Sequence, residues 1–368
     1  MNMSDIIVVK IGSSSITSEE GGLNRERIAF FTEELASLHA QGHGVVLVTS
    51  GAVAAGFRQI GYLSRPKALH EKQAAAAVGQ ALLMQAYQDE FNRFGMVAAQ
   101  ILLTRTDFSN RKRINNALMT MEELLRLRTI PIINENDTVS TGELKFGDND
   151  NLSALVANMI KAEQLIIITD MDGLYTEDPR KNPNAVKIDR VNQISEDILK
   201  IAGGAGSAVG TGGMRSKIEA ARTATRGGIR TFVGKVQDKG ELNDAAAGHG
   251  RGTYFDTSMH SLPVKKQWLG FHSMPQGHIT VDAGAEKALL ANGRSLLPVG
   301  VVHIEGDFHP GDVVEVRNQQ GITIGRGVVN YEAWQVQAVA GLNTDEVRRR
   351  IDVHRMEIIH RDEWISLR

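Results

Sequence analysis

Along the first two-thirds of the chain, short apolar runs rich in β-branched residues alternate with longer stretches whose apolar positions recur every three to four residues. The short runs predict strands over 6–11, 45–49, 97–103, 130–134, 164–169 and 231–234, and their unbroken apolar character predicts burial on both faces. Between them, Ala74, Ala77, Val78, Ala81, Met84, Tyr87 and Phe91 share a helical spacing, as do Ile114, Leu118, Met121 and Leu125, so both sets are expected as core-facing stripes. Strands alternating with helices imply an α/β protein: a three-layer αβα sandwich around a mostly parallel central sheet.

The rhythm changes near the carboxyl end. From Asp256 to Gln267 the periodicity weakens around Pro263 and Lys265-Lys266, the character of a linker. From Gly277 onward, short strands are expected over 279–281, 301–305, 312–317 and 322–329, punctuated by Gly306, Gly311, Gly321 and Gly325, with one helix over 285–290. Turn signals at that density predict a small β-barrel. The expected division is a large α/β domain over 1–258, a linker over 259–276 and a small domain over 277–368. A chain of 368 residues is long enough for two cores.

Charge narrows the partners. Forty-one Lys and Arg against 43 Asp and Glu leave a formal net charge of -2, so an anion site has to be local. In the tail, acidic residues outnumber basic ones, and the Arg348-Arg349-Arg350 run sits among carboxylates, which speaks against a nucleic-acid surface. The absence of cysteine excludes disulfides and thiolate chemistry. Asp5 and the lack of a long apolar run near the start argue against a signal peptide, and the expected location is cytoplasmic.

Polar and glycine residues gather directly after several predicted strands: Lys10-Ile11-Gly12-Ser13-Ser14-Ser15, Thr49-Ser50-Gly51-Ala52, Asn134-Glu135-Asn136-Asp137 and Thr169-Asp170. In an open parallel sheet ligands bind at the carboxyl ends of strands, so these segments should meet in one crevice. Gly210-Thr211-Gly212-Gly213-Met214-Arg215-Ser216-Lys217 opens a helical pattern, a combination of pliant backbone and helix amino end that suits a phosphate. Neither Gly, four residues, Gly-Lys-Ser/Thr nor Gly-x-Gly-x-x-Gly is present, so a nucleotide would be held by another architecture. Gly147-Asp148-Asn149-Asp150-Asn151 precedes another helix; its acids can cap that helix, orient cationic side chains or bind Mg²⁺. His39 and His43 flank Gly42 at a helix end, a poor arrangement for a metal pair.

Taken together, Lys10 to Ser14, Val48 to Gly56, Ile133 to Asp137, Phe146 to Ala154 and Gly210 to Met214 resemble the glutamate 5-kinase branch of the amino acid kinase family. Asp172-Gly173-Leu174-Tyr175-Thr176 is shared more widely within that family, and the tail, with Phe308-His309-Pro310-Gly311-Asp312, resembles a PUA domain. The resemblance implies ATP-dependent phosphorylation of the side-chain carboxylate of L-glutamate, the first step of proline synthesis, with ATP and Mg²⁺. It implies Lys10, Lys217 and Asp150 as catalytic residues. Gly12, Thr169, Asp170, Thr211, Gly212, Gly213, Met214, Arg215 and Ser216, with the two lysines, are implied for ATP, and Ser50, Gly51, Asn134, Asp137, Asp148 and Asn149 for glutamate. Proline as inhibitor, a homo-oligomer (dimer or tetramer) and hand-over to a glutamyl phosphate reductase are implied as well. Aspartate or acetylglutamate kinases of the same fold, and RNA binding through the tail, are the competing readings.

Overall fold

The computed structural model describes residues 6–18, 20–140, 149–203, 213–257, 275–352 and 355–367. The chain separates into two compact units, Met1–Ser261 and Leu262–Arg368. Apart from 275–276, the expected linker over 259–276 lies outside the described residues.

In the large unit, β1 (Ile6–Ile11), β2 (Gly44–Val48), β3 (Ala98–Leu103), β4 (Ile130–Glu135), β5 (Gln164–Ile168), β8 (Arg190–Val191), β9 (Arg230–Gly234) and β10 (Gly252–Phe255) form one sheet in the order β3-β4-β2-β1-β5-β9-β10-β8. A short hairpin, β6 (Leu174–Tyr175) with β7 (Lys187–Ile188), stands apart. All pairs in the sheet are parallel except β9 with β10. β1, β2 and β5 are buried along their whole length, as continuous apolar runs covered by helices on both faces require. β3 departs from the expectation of two-sided burial: it is the sheet's edge and is only half-buried, with Gln100 exposed.

The helices around this sheet are α1 (Ser13–Ile16), α2 (Arg25–Ala40), α3 (Ala52–Gly56), α4 (Leu69–Asn92), α5 (Arg105–Ser109), α6 (Arg111–Arg126), α7 (Asn149–Met159), α8 (Glu196–Ala202), α9 (Met214–Arg226) and α10 (Glu241–Ala247). The predicted stripe on α4 needs correcting. Ala74, Ala77 and Ala81 are exposed, and the buried positions are Ala75, Ala76, Gly79, Leu83, Ala86, Tyr87 and Phe91. The cause is the partner: α4 meets α3 backbone to backbone through small residues. A Cβ on Gly79 would stand 1.8 Å from the Ala52 carbonyl oxygen, and one on Gly56 2.0 Å from that of Ala75. Smallness rather than hydrophobicity therefore chooses the face.

The second unit holds a five-stranded sheet, β12-β11-β13-β14-β15, made of β11 (Gly277–Val281), β12 (Val301–Gly306), β13 (Val313–Arg317), β14 (Thr323–Val329) and β15 (Ile359–Ser366). Register shifts at Thr280/Val281, Val316/Arg317 and Gly327/Val329 bend it around a core that includes Ile279, Val316, Phe308, Tyr331 and Trp364. Among the described residues no helix is long and apolar enough to cross a membrane.

Gly79→Val should push α3 off α4 and lower stability by at least about 2 kcal/mol, whereas Ala77→Val on the exposed side should change it by less than about 0.5 kcal/mol. Urea unfolding of the two variants checks this.

Candidate active site

The sheet order sets the carboxyl ends of β4, β2, β1 and β5 side by side, and the chemistry collects there. β1 is apolar except for Lys10, whose strand neighbours are Val48 on β2 and Ile167 on β5. Only 4% of Lys10 is exposed. A buried ammonium has to be paired, and its Nζ lies 2.5 Å from Oδ1 of Asp150. Asp150 is fully buried in the first turn of α7, where the partial positive charge of a helix amino end favours an acid. Its Oδ2 accepts from Lys217 Nζ at 3.0 Å and from Ser216 Oγ at 2.9 Å. Lys217 is 6% exposed and sits in the first turn of α9, so the amino ends of α7 and α9 converge on this carboxylate. Burial alone would raise the Asp150 carboxyl; the two ammonium charges and their hydrogen bonds outweigh it and hold the group below its usual range.

Two ammonium groups thus share one carboxylate at the sheet edge. Gly12, directly after β1, keeps space beside it: a Cβ there would lie 3.4 Å from Lys10 Nζ. Gly213 is the N-cap of α9 and uses no side chain to satisfy the helix's first amides, which suits an incoming anion.

The other half of the site is built mainly from neutral amides and hydroxyls, with Asp137 at its margin. Asn149 Nδ2 donates towards the Thr49 carbonyl oxygen, Ser50 Oγ at 3.0 Å and Asn134 Oδ1 at 2.7 Å. Asn134, only 2% exposed, also accepts from the Glu135 amide at 2.9 Å. Thr49 is anchored from behind by the hydroxyl of fully buried Tyr87, 3.0 Å from its Oγ1. Gly51 caps α3 with φ 102°, and its missing side chain avoids Thr17 Cγ2, which a Cβ would approach to 3.2 Å. Asp137 lies half-buried in the turn after β4, its amide bonded to the Glu135 carbonyl at 2.9 Å.

Of the residues expected here, Lys10, Gly12, Ser50, Gly51, Asn134, Asn149, Asp150, Gly213, Ser216 and Lys217 come together. Thr169 and Asp170 directly follow the adjacent strand β5, and Thr169 Oγ1 donates to Asp170 Oδ1 at 3.0 Å. Met214 opens α9, while Arg215 runs along the exposed side of that helix to Glu219 at 3.0 Å. Thr211, Gly212 and Asp148 lie outside the described residues. Three residues of the surroundings were not foreseen: Tyr87, read only as core, and Gln80 and Gln100, whose amides continue the Asn134 network. The available signal was the row Gln73, Gln80, Gln88 on α4, seven and eight residues apart, about two helical turns each.

A parallel sheet that gathers buried cations and amides at its carboxyl edge defines a class, the α/β proteins that bind an anionic ligand there. Within it, this chain belongs to the amino acid kinase family, whose model matches residues 5–235; residues 277–351 match the PUA domain. It is 51% identical to glutamate 5-kinase of Geobacillus kaustophilus over 363 residues, covering 98% of this chain and 97% of that one. Glutamate 5-kinase of Bacillus cereus is 48% identical, covering 98% and 99%. The solved carbamate kinase from Giardia lamblia bound to AMP-PNP superposes with a TM-score of 0.52 at 16% identity, covering 70% of this chain and all of that one, a likeness of fold.

Asp150→Asn would leave two buried ammonium groups facing each other without their counter-charge, and should cost about 3–5 kcal/mol of stability near neutral pH. The native carboxyl is held low, so its contribution is present above the unfolded value near 3.9 and is lost as pH falls through the folded one. The stability gap between wild type and Asp150→Asn should therefore close as pH falls below about 4, which urea unfolding across an acid pH series measures.

Proposed function

We propose that the chain transfers the γ-phosphoryl group of ATP to the side-chain carboxylate of L-glutamate, giving L-glutamyl 5-phosphate, and so performs the first step of proline synthesis. The observation that carries this is the buried Lys10–Asp150–Lys217 cluster, set beside a neutral amide pocket at the same sheet edge.

Free glutamate has a side-chain pKa near 4.3, so its carboxylate is ionised at neutral pH and can attack phosphorus without a general base. The obstacle is repulsion: at about 4 Å and an effective dielectric near 20, each pair of like charges costs around 4 kcal/mol. Lys10 and Lys217 offset that charge from fixed positions, and Asp150 keeps both ammonium groups aimed at the crevice. Gly12 and the amides opening α9 admit phosphate oxygens. Mg²⁺, entering with the triphosphate, supplies further positive charge. Among the described residues no group of three or more His, Cys, Asp or Glu could cage a metal, and Asp150 is already engaged by two lysines, so phosphate oxygens and water would provide most of its ligands. Thr169 and Asp170, with Thr211 to Ser216, complete the nucleotide side. On the acceptor side we assign Ser50 and Gly51 to a substrate carboxylate and Asp137 to its α-ammonium, with Asn134, Asp148 and Asn149 alongside. Asp137 sets the choice of substrate, because N-acetylglutamate lacks the charge it would meet.

The product is an acyl phosphate, labile in water, and we assign its consumption to a glutamyl phosphate reductase. Proline as end-product inhibitor, a dimeric or tetrameric assembly and a cytoplasmic location complete the reading.

With Mg-ATP, glutamate and hydroxylamine the chain should form glutamyl hydroxamate, and Lys10→Ala or Lys217→Ala should each lower kcat by at least roughly 100-fold. Near-normal turnover in either variant would refute the phosphate-side assignment. N-acetylglutamate should compete poorly; equal use of both substrates would remove Asp137 from the ammonium site.

A further inference from the structure

Helix α4 presents a row of three glutamines to the edge of the sheet. Gln73 Nε2 donates to the Ser140 carbonyl oxygen at 3.2 Å, and Gln88 Oε1 accepts from the Ala98 amide at 3.1 Å. Those two brace backbone, although Gln88 Nε2 also donates to Asn92 Oδ1 at 2.7 Å within its own helix. Gln80 differs because both of its partners are side-chain amides: its Oε1 accepts from Asn134 Nδ2 at 2.8 Å, and its Nε2 donates to Gln100 Oε1 at 2.8 Å. Asn134 in turn accepts through Oδ1 from Asn149 and from the Glu135 amide. Four amides, Gln100, Gln80, Asn134 and Asn149, thus run from the exposed edge strand β3 to the pocket.

An amide side chain has a donor end and an acceptor end, so this series has a sense. If Gln80 were reversed, its Nε2 would face Asn134 Nδ2 and its Oε1 would face Gln100 Oε1, two pairs of like groups. If Asn134 were reversed, two donors would lose their acceptor in a site that is almost fully buried. Asn149 Nδ2 has only two hydrogens and already faces three protein acceptors, so Oδ1 is the atom Asn149 has left to offer a ligand. An acceptor there suits an ammonium group.

We propose that Gln80 is a positioning residue for the amino-acid substrate: by holding Asn134 Nδ2, while the Glu135 amide holds its Oδ1, it locks the amide that in turn orients Asn149 and the acceptor Asn149 presents. This rests on the glutamate reading above. Gln80 touches neither lysine of the anion cluster in the described network, so its loss should act on glutamate and spare the nucleotide.

Steady-state kinetics of the full chain test it with two substitutions of similar size. Glu at position 80 still accepts from Asn134; Leu cannot. Gln80→Leu should raise the glutamate KM roughly tenfold, with the ATP KM within about twofold and kcat reduced less than KM is raised, while Gln80→Glu should stay within about threefold of wild type. An unchanged glutamate KM in Gln80→Leu, equal impairment of both variants, or a matching rise in the ATP KM would overturn the proposal. Because Gln100 is exposed, Gln100→Leu keeps the fold even if the Gln80 variant fails to fold. It removes the acceptor of Gln80 Nε2 and so loosens the hold of Gln80 on Asn134; the glutamate KM should rise in the same direction by roughly threefold, and no rise would equally refute the positioning role. A wild-type chain that forms no glutamyl hydroxamate removes the functional reading itself. A wild-type chain active on glutamate whose Gln80 variants bind it normally removes only the role of Gln80.

Discussion

Asp150 has no exposed surface and still holds its carboxyl below the usual range, chiefly because Lys10 and Lys217 both touch it. Each of the three stands on a different element, β1, α7 and α9, so the ion cluster and the packing of these elements are one condition. Displace α9, and the carboxylate loses half of its counter-charge. Displace α7, and two ammonium groups are left buried together. Such a cluster adds little net stability over a well-packed apolar core, yet removing one member is costly, because the charges that remain stay buried.

The neutral half of the crevice depends on packing of another kind. Asn149 starts α7, Ser50 and Gly51 lead into α3, and α3 is seated on α4 by the contact of Gly56 with Gly79. α4 also carries Tyr87, which holds Thr49 from behind, and Gln80, which holds Asn134. One helix thereby locates three of the groups around the amino-acid pocket without lining the anion cluster. Two supports, one ionic and one built on close backbone approach, fix the two sides of the crevice separately.

Much of this was legible in the sequence, for physical reasons that can be named. Continuous β-branched runs identify strands buried on both faces, so β1, β2, β4, β5 and β9 were found to within a residue or so at each end. Lys10 entered through the polar and glycine cluster that follows β1 and through the family resemblance; the structure adds that, buried inside an apolar strand, it needs the partner it has in Asp150. β8 and β10 were missed, since Arg190-Val191 is too short to show a period and Gly252–Phe255 begins with a glycine. The α4 stripe was misread because period alone cannot distinguish an exposed alanine from one pressed against a neighbouring helix. The amide network was invisible for a related reason: Asn134 and Asn149 appear in polar clusters, but Gln80 and Gln100 sit among apolar residues, where glutamine reads as a solvent-facing break.

The contrast between the two sides follows from what each has to bind. A triphosphate is recognised by net charge, and ammonium groups serve regardless of which hydrogen points where, so Lys10 and Lys217 need holding but not orienting. An amino-acid head group carries an ammonium and a carboxylate close together, and protein charge of one sign, such as that of Asp137, can serve only one of them. Neutral amides can serve either, but an amide turned end for end exchanges attraction for repulsion while leaving the shape unchanged. A site built from amides must therefore specify their sense as well as their position, and sense can be set only by further polar partners whose own sense is set in turn. Such a series has to end at a group that can be satisfied by water. Here it runs from Asn149 through Asn134 and Gln80 to Gln100, the exposed member on the sheet's edge strand. The orientation of the pocket's amides is on this argument set by residues outside it, which gives a polar side chain at position 80 a role on a helix face that meets α3 through alanine and glycine.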